Sequence, residues 1–244
     1  MFLVSPSMQK RVQVFAVILF AKSLSTTTTT ALTICVITGT TRTNGPPFPI
    51  LGPRVAEFCI RSLERRGHIV TLIDPKQLDT PHMRPHFTYP KSQVPPILQA
   101  MHEKLADADA YVTITPEYNH APAPGLINVI NHFGSSCFGF KPSAIVTYSA
   151  GQWGGTRAAH SLRPILSELG CLPVSAMIHI PNAQDVLLED GILVEKEERW
   201  NSYTDRCFSQ LEWWGQATKI HRIKCNPLQV SPVLKQDPSQ RNAP

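Results

Sequence analysis

Hydrophobic and polar positions along this chain follow two rhythms that take turns. Continuous apolar runs rich in β-branched residues recur as "LTICVITGT" (32–40), "HIVTLIDP" (68–75), "AYVTITP" (110–116), "SAIVTYSAG" (143–151) and "PVSAMIHIP" (173–181). Their length, composition and flanking turn residues predict five buried strands. Segments with helical spacing lie between them. "RVAEFCIRSLERRG" (54–67) sets Val55, Phe58, Ile60 and Leu63 on or near one face and stops at Gly67. Four more predicted helices follow: "PILQAMHEKLADA" (96–108), "GLINVINHF" (125–133), "GTRAAHSLRPILSELG" (155–170) and a long closing helix over 195–222. Pro164 is expected to kink the fourth or break it late.

Strands that are apolar on both sides and alternate with helices predict an α/β fold: a parallel sheet with helices on both faces. A five-stranded doubly wound sheet of this kind is flavodoxin-like, with strand order 2-1-3-4-5. Its ligand lies beyond the C-terminal strand ends, near the switch point between strands 1 and 3. The predicted domain covers residues 32–222.

Residues 1–31 are read as an N-terminal extension, disordered or targeting. They hold no acidic residue, the first being Glu57, and their apolar stretch Val12–Ala21 follows Lys10-Arg11. That stretch is shorter than the roughly 20 residues a helix needs to span a bilayer. It leaves an organelle transit peptide or a secretory signal open. Residues 223–244 are Pro-rich without periodicity and are expected to be a disordered tail.

Composition narrows the function classes. The chain has 244 residues, 42% of them hydrophobic, enough for a sizeable core. The net charge of +5 is not gathered into a basic run, which argues against nucleic acid. Six cysteines are present, none in a CxxC pair and none at zinc-ligand spacing with His. They read as reduced, buried thiols of a cytoplasmic protein.

The candidate chemistry sits where the strands end. Strand 1 runs into "GTTRTNG" (39–45), where Thr40, Thr41 and Thr43 offer hydroxyls and Arg42 a planar cationic fork beside a helix entry. Such a set can cradle a phosphate, although it matches neither GxGxxG nor GxxxxGK[ST]. The insert "PPFPILGP" stiffens the loop. Strand 3 runs into "TPEYNHAPAPG" (115–125), whose prolines hold the backbone while Tyr118 and Asn119 offer an aromatic wall and amide bonds. His120 reads as a surface residue. Strand 4 runs into "YSAGQWGGTR" (148–157), where three glycines bring backbone close to a partner or turn it sharply. Trp153 suits the edge of a planar ligand or a dimer contact. Each loop alone also reads as an ordinary turn; all three at one sheet edge point to one cleft.

Together these residues carry a family resemblance. "TPEYN" after strand 3, "G-x-x-R" after strand 1 and "YSAGQWGGTRAAHSLR" after strand 4 resemble the NADPH-dependent FMN reductases, which include flavodoxin-like quinone reductases and azoreductases. The resemblance covers about residues 32–222 and implies FMN as cofactor. It implies that Thr40 and Arg42 hold the phosphate. Pro116, Glu117, Tyr118 and Asn119 would line the ribityl chain and the ring. Ser149, Gly151, Gly154 and Gly155 would present backbone to the ring's pyrimidine edge. Thr40 stands where the family often has Ser, which keeps the hydroxyl. The Pro-rich insert after Arg42 departs further and leaves Thr43 and Asn44 as open contributors.

The implied activity is an FMN-dependent NAD(P)H oxidoreductase. It would pass two electrons by ping-pong hydride transfer to a quinone, an azo compound or free flavin, with no catalytic side chain required. A non-catalytic FMN-binding redox sensor, or a phosphate binder without flavin, are the competing readings. NADPH and NADH both remain open as donors; Arg157 and Arg163 are near enough in sequence to meet a 2′-phosphate. The expected partners are a small-molecule acceptor and further copies of the chain, as homodimer or homotetramer. Trp213 and Trp214 are read as interface or core residues.

Overall fold

The computed structural model describes residues 30–78 and 84–231. The extension up to residue 29 and the tail from 232 lie outside the described residues. Five principal elements of sheet form where the apolar runs predict them. They are β1 (Thr33–Thr38), β2 (Ile69–Ile73), β3 (Ala110–Tyr118), β5 (Pro142–Tyr148) and a fifth position shared by β6 (Leu172–Pro173) and β7 (Ile178–Ile180). The pairing is parallel in the order β2-β1-β3-β5, with β6 and β7 both on the far side of β5. This is the 2-1-3-4-5 order of a flavodoxin-like sheet.

The helices are α1 (Leu51–Arg65), α2 (Pro96–Asp107), α3 (Pro124–Asn131), the single turn α4 (Ser135–Phe138), α5 (Thr156–Glu168), the short α6 (Ala183–Val186), α7 (Glu197–Lys224) and the last turn α8 (Pro227–Val230). Strand alternation divides the core in two. On one face Ile34, Val36, Val112, Ile114 and Val146 pack with Phe58 and Leu63 of α1 and Phe208 and Leu211 of α7. On the other, Cys35, Ile37, Tyr111 and Ile145 pack with Leu98 of α2, Val129 of α3 and Leu162 of α5.

Three departures from the expected elements have local causes. α1 opens at Leu51 rather than Arg54, because Pro53 falls in the first turn, where its missing N–H has no intrahelical acceptor to lose. Pro164, by contrast, is tolerated inside α5 as expected, and the helix continues to Glu168. The fifth strand is broken. Between β6 and β7, the Arg163 guanidinium donates to the carbonyls of Pro173, Val174 and Ser175, while Gln210 Oε1 accepts from Ala176 N at 3.1 Å. Side chains of α5 and α7 thus satisfy backbone that a continuous strand would have paired. β3 runs two residues past Pro116 and folds back on β4 (Ala121–Pro122). Asn119 and His120 form the hairpin turn, at φ 50° and 66°, which suits Asn.

The closing helix ends two residues later than predicted, at Lys224. It carries Glu197 and Glu198 in its first turn and Arg222 and Lys224 in its last, both favourable to the helix dipole. Trp213 and Trp214 are 64% and 44% exposed and meet edge to face on its surface, so the core reading of this pair does not hold. The cysteines are free thiols, all buried except the half-buried Cys225. No helix among the described residues is long and apolar enough to cross a membrane.

Candidate functional site

The sheet registers bring the three strand ends level. Thr38 pairs with Ile114, Ile114 with Val146, and Pro116 with Tyr148, so the chain leaves β1, β3 and β5 along one edge. The N-terminal part of α3 closes against the first loop. A Cβ on Gly125 would lie 2.7 Å from Gly39 O and 2.8 Å from the Thr41 methyl, so only glycine permits this approach.

In the first loop, Thr40 is buried and its Oγ1 accepts from Arg42 N at 3.2 Å. The exposed Arg42 fork donates to the carbonyls of Asn44, at 3.2 Å, and Pro46, at 2.9 Å. α1 follows with no side-chain cap on Ile50 and no acidic residue in its first turn. Its positive dipole end is therefore left for an anion. The residue that sequence reasoning missed here is Tyr148. Its buried hydroxyl lies beside Thr40; burial is the main cause that pushes it far above the usual phenol value, with Thr40 and the Arg42 charge acting against the rise. Tyr148 reads as one more apolar strand residue because nothing local marks its partner, which is 108 positions away. A cavity of about 180 Å³ opens beside Thr40, lined also by Thr38, Gly52, Asp74 and Lys76.

In the second loop Glu117 is tied to the helix that follows the third loop. Its carboxylate accepts from Arg157 N at 3.1 Å and pairs with the Arg157 guanidinium at 2.5 Å. It supplies the negative charge that the first turn of α5 itself lacks, and it fastens the β3–β4 hairpin to that helix. Ser161 Oγ adds a bond to His120 O at 3.3 Å. Pro116 is buried beneath the hairpin, Tyr118 is half-buried and Asn119 exposed. Thr115 Oγ1 accepts from Ala123 N at 2.9 Å and holds the far leg of the loop.

The third loop is folded from within. Ser149 N donates to Ile180 O at 3.1 Å, and Ser149 Oγ donates to Gly151 O and accepts from Gly154 N. Gly154 and Gly155 take φ 58° and 78°, and a Cβ on Gly155 would lie 2.9 Å from Thr147 Cβ. These two glycines are explained by the turn itself. Gly151 is not, since a Cβ there would meet nothing within 4 Å. The backbone N–H groups of Ala150, Gly151, Gln152 and Trp153 have no acceptor among the described residues. Trp153 is 60% exposed, with the Arg157 guanidinium 6.0 Å from its ring. Arg157 thus joins the second and third loops. Arg163, committed to three carbonyls in the broken strand, takes no part.

The donor groups present suit the chemistry of FMN. Hydroxyls, a guanidinium and an uncapped helix suit its phosphate, while unclaimed N–H groups beside an open glycine suit the carbonyl edge of its ring. Among the described residues no group of His, Cys, Asp and Glu is placed to hold a metal ion.

Comparison with known proteins identifies relatives of the chain. An NAD(P)H-dependent FMN reductase of Pseudomonas aeruginosa is 34% identical over 109 residues, 43% of this chain and 59% of the relative. A 2-hydroxy-1,4-benzoquinone reductase of a Burkholderia species is 28% identical over 113 residues, 44% of this chain and 62% of the relative. In both cases the chain spans less than two thirds of the relative's length. Among solved structures, a flavoenzyme NAD(P)H:(acceptor) oxidoreductase from Paracoccus denitrificans superimposes with a TM-score of 0.60 at 20% identity, covering 76% of this chain and 98% of its own. That likeness concerns the fold. The three loops fall within or next to residues 32–185, which match the family described as NADPH-dependent FMN reductase, and the chain belongs to that family.

Proposed function

We propose that the chain is an FMN-dependent NAD(P)H oxidoreductase that delivers two electrons to a small acceptor: a quinone, an azo compound or free flavin. One observation supports this most. Four successive unclaimed backbone N–H groups, Ala150 to Trp153, stand at the same sheet edge as the Thr40–Arg42 loop. The chemistry that FMN supplies when bound is hydride uptake from a reduced nicotinamide and two-electron delivery onward.

The chain's own residues bind and orient. Thr40, Arg42 and the start of α1 hold the phosphate. Pro116, Tyr118 and Asn119 wall the ribityl chain and ring. Glu117 acts indirectly, by fixing the hairpin to α5 through Arg157. The N–H groups of 150–153 stabilise negative charge at the pyrimidine edge. No protein acid or base is assigned. Donor and acceptor use one open side in turn, so initial-rate lines should be parallel. Self-association as homodimer or homotetramer and a cytoplasmic location belong to the same reading.

The test is the visible spectrum of the full chain with FMN, followed by NADPH without oxygen. Flavin bands that bleach, and return when a quinone is added, are the expected result. Bands that persist would instead favour a flavin-binding sensor. A chain that does not take up FMN would overturn the reading.

A further inference from the structure

One cavity near this edge belongs to none of the three loops. It measures about 390 Å³ and lies at the open edge of the sheet, between the end of β7, α6 and the first turns of α7. Its lining mixes three chemistries: the rings of Trp200 and Tyr203, the cations Lys196 and Arg199, and the carboxylates of Asp185 and Glu195. The two rings meet edge to face at 5.7 Å; Trp200 also packs against the core, while Tyr203 is 37% exposed and offers ring surface to a planar group. Arg199 has no carboxylate or hydrogen-bond partner among the described residues, whereas Lys196 is paired with Glu195 at 2.6 Å.

The cavity is joined to the third loop through its walls. Asn182 N donates to Gly151 O at 3.0 Å, Ala183 N to Ser149 O at 3.0 Å, and Gln184 Nε2 to Ala150 O at 3.1 Å. A second link runs through His179, which also lines the cavity. Thr147 Oγ1 donates to Gly154 O at 2.7 Å, so the 2.7 Å contact between Thr147 Oγ1 and His179 Nδ1 requires the ring N–H to be the donor. His179 is therefore held as the Nδ1–H tautomer with Nε2 left as an acceptor. Its backbone N–H is taken by Tyr203 Oη at 2.9 Å.

We infer that this cavity binds the adenosine half of the nicotinamide dinucleotide, with the base on Trp200 and Tyr203, the ribose hydroxyls on Asp185 and a phosphate on Arg199. An aromatic pair, a carboxylate and a free guanidinium match base, diol and phosphate in turn. The volume lies within the usual range of small-molecule sites. The inference rests on the proposed oxidoreductase reading, since that reading supplies the dinucleotide.

Two measurements on the full chain test it. The first needs no flavin chemistry: calorimetric titration with ADP-ribose, which carries the adenosine half and no nicotinamide. Binding to the wild type, weakened about tenfold or more in Arg199→Ala by loss of a charge-assisted bond, is expected. The second uses FMN-loaded enzyme and compares NADPH with dihydronicotinamide mononucleotide, which lacks the adenosine half. Arg199→Ala should raise KM for NADPH about tenfold relative to KM for the mononucleotide. ADP-ribose that does not bind, or binds equally to both proteins, overturns the inference even if flavin is reduced normally. ADP-ribose binding that depends on Arg199 in a chain that never reduces flavin would keep the site and overturn the oxidoreductase reading instead.

Discussion

The two ends of the sheet are built on opposite principles. At the end where the strands begin, polar groups are matched to one another. Asp109 accepts from Thr33 N at 3.1 Å, from Lys219 Nζ at 2.7 Å and from the Arg222 guanidinium at 3.1 Å. His68 Nδ1 accepts from Leu32 N, so its other nitrogen donates to Glu212 at 2.9 Å, and Arg66 clasps Glu212 together with Asp205. At the end where the strands finish, four backbone N–H groups in succession have no acceptor, and the start of α1 is uncapped. These four residues are exposed, so their N–H groups face solvent and are open to a ligand. The difference separates an end whose polar groups are matched within the fold from the end at which the proposed cofactor site lies.

The sharpest way to break the comparison is at Asp109, whose side chain is 10% exposed. Asp109→Ala leaves two cations without their carboxylate and should cost about 3 kcal/mol, discounted from the full buried-pair range because Lys219 and Arg222 reach solvent. Urea unfolding measures this loss, and FMN affinity of the folded protein should not change. If affinity fell with stability, the two ends would not be independent.

Glu212 gives a smaller effect with a defined pH window. Burial by itself raises its pKa, but hydrogen bonds from His68 and Arg66 and their charge bring it down to about 2. A carboxylate held below its unfolded value stabilises the fold above that value and loses the contribution as pH falls toward 2. Unfolding free energy should therefore drop by roughly 2 kcal/mol from this group between pH 4.5 and pH 2. Glu212→Gln should be less stable at pH 7 and show a flatter acid limb in denaturant titrations across that window.

At the other end, Arg42→Ala should weaken FMN binding about tenfold or more while shifting the stability of the FMN-free protein by less than ~0.5 kcal/mol. Equilibrium titration followed by flavin fluorescence reads the first quantity and urea unfolding the second. The finest discrimination lies within one loop. Gly155→Ala places a Cβ against Thr147 in a left-handed conformation and should cost about 1–2 kcal/mol of stability. Gly151→Ala enters open space, so stability should hold within ~0.5 kcal/mol while FMN binding weakens. Equal effects of the two substitutions would remove the distinction between a turn glycine and a ligand-facing one.

The exposed pair Trp213–Trp214 shows where periodicity is ambiguous. In α7 the buried positions are few, Thr204, Cys207, Phe208, Leu211 and Gly215, and Gly215 is needed because a Cβ there would lie 2.6 Å from Leu32 Cδ1. Two adjacent tryptophans point about 100° apart on a helix, and both lie off the buried stripe that ends at Gly215.

Sequence alone determined the succession of strands and helices, the strand order, and the edge on which the loops gather. Those features follow from local hydrophobic runs, from turn residues at their ends and from the handedness of parallel crossovers, all of which are written within a few residues of one another. The tertiary structure alone decided which side chain meets which. Glu117 is claimed by Arg157, 40 positions later; Arg163 is drawn to the carbonyls of the broken strand; Tyr148 reaches back to Thr40; and Ser149 spends its hydroxyl inside its own loop. A polar residue at a strand end carries no mark of its partner, because the partner is selected by packing across the sheet rather than by neighbours along the chain.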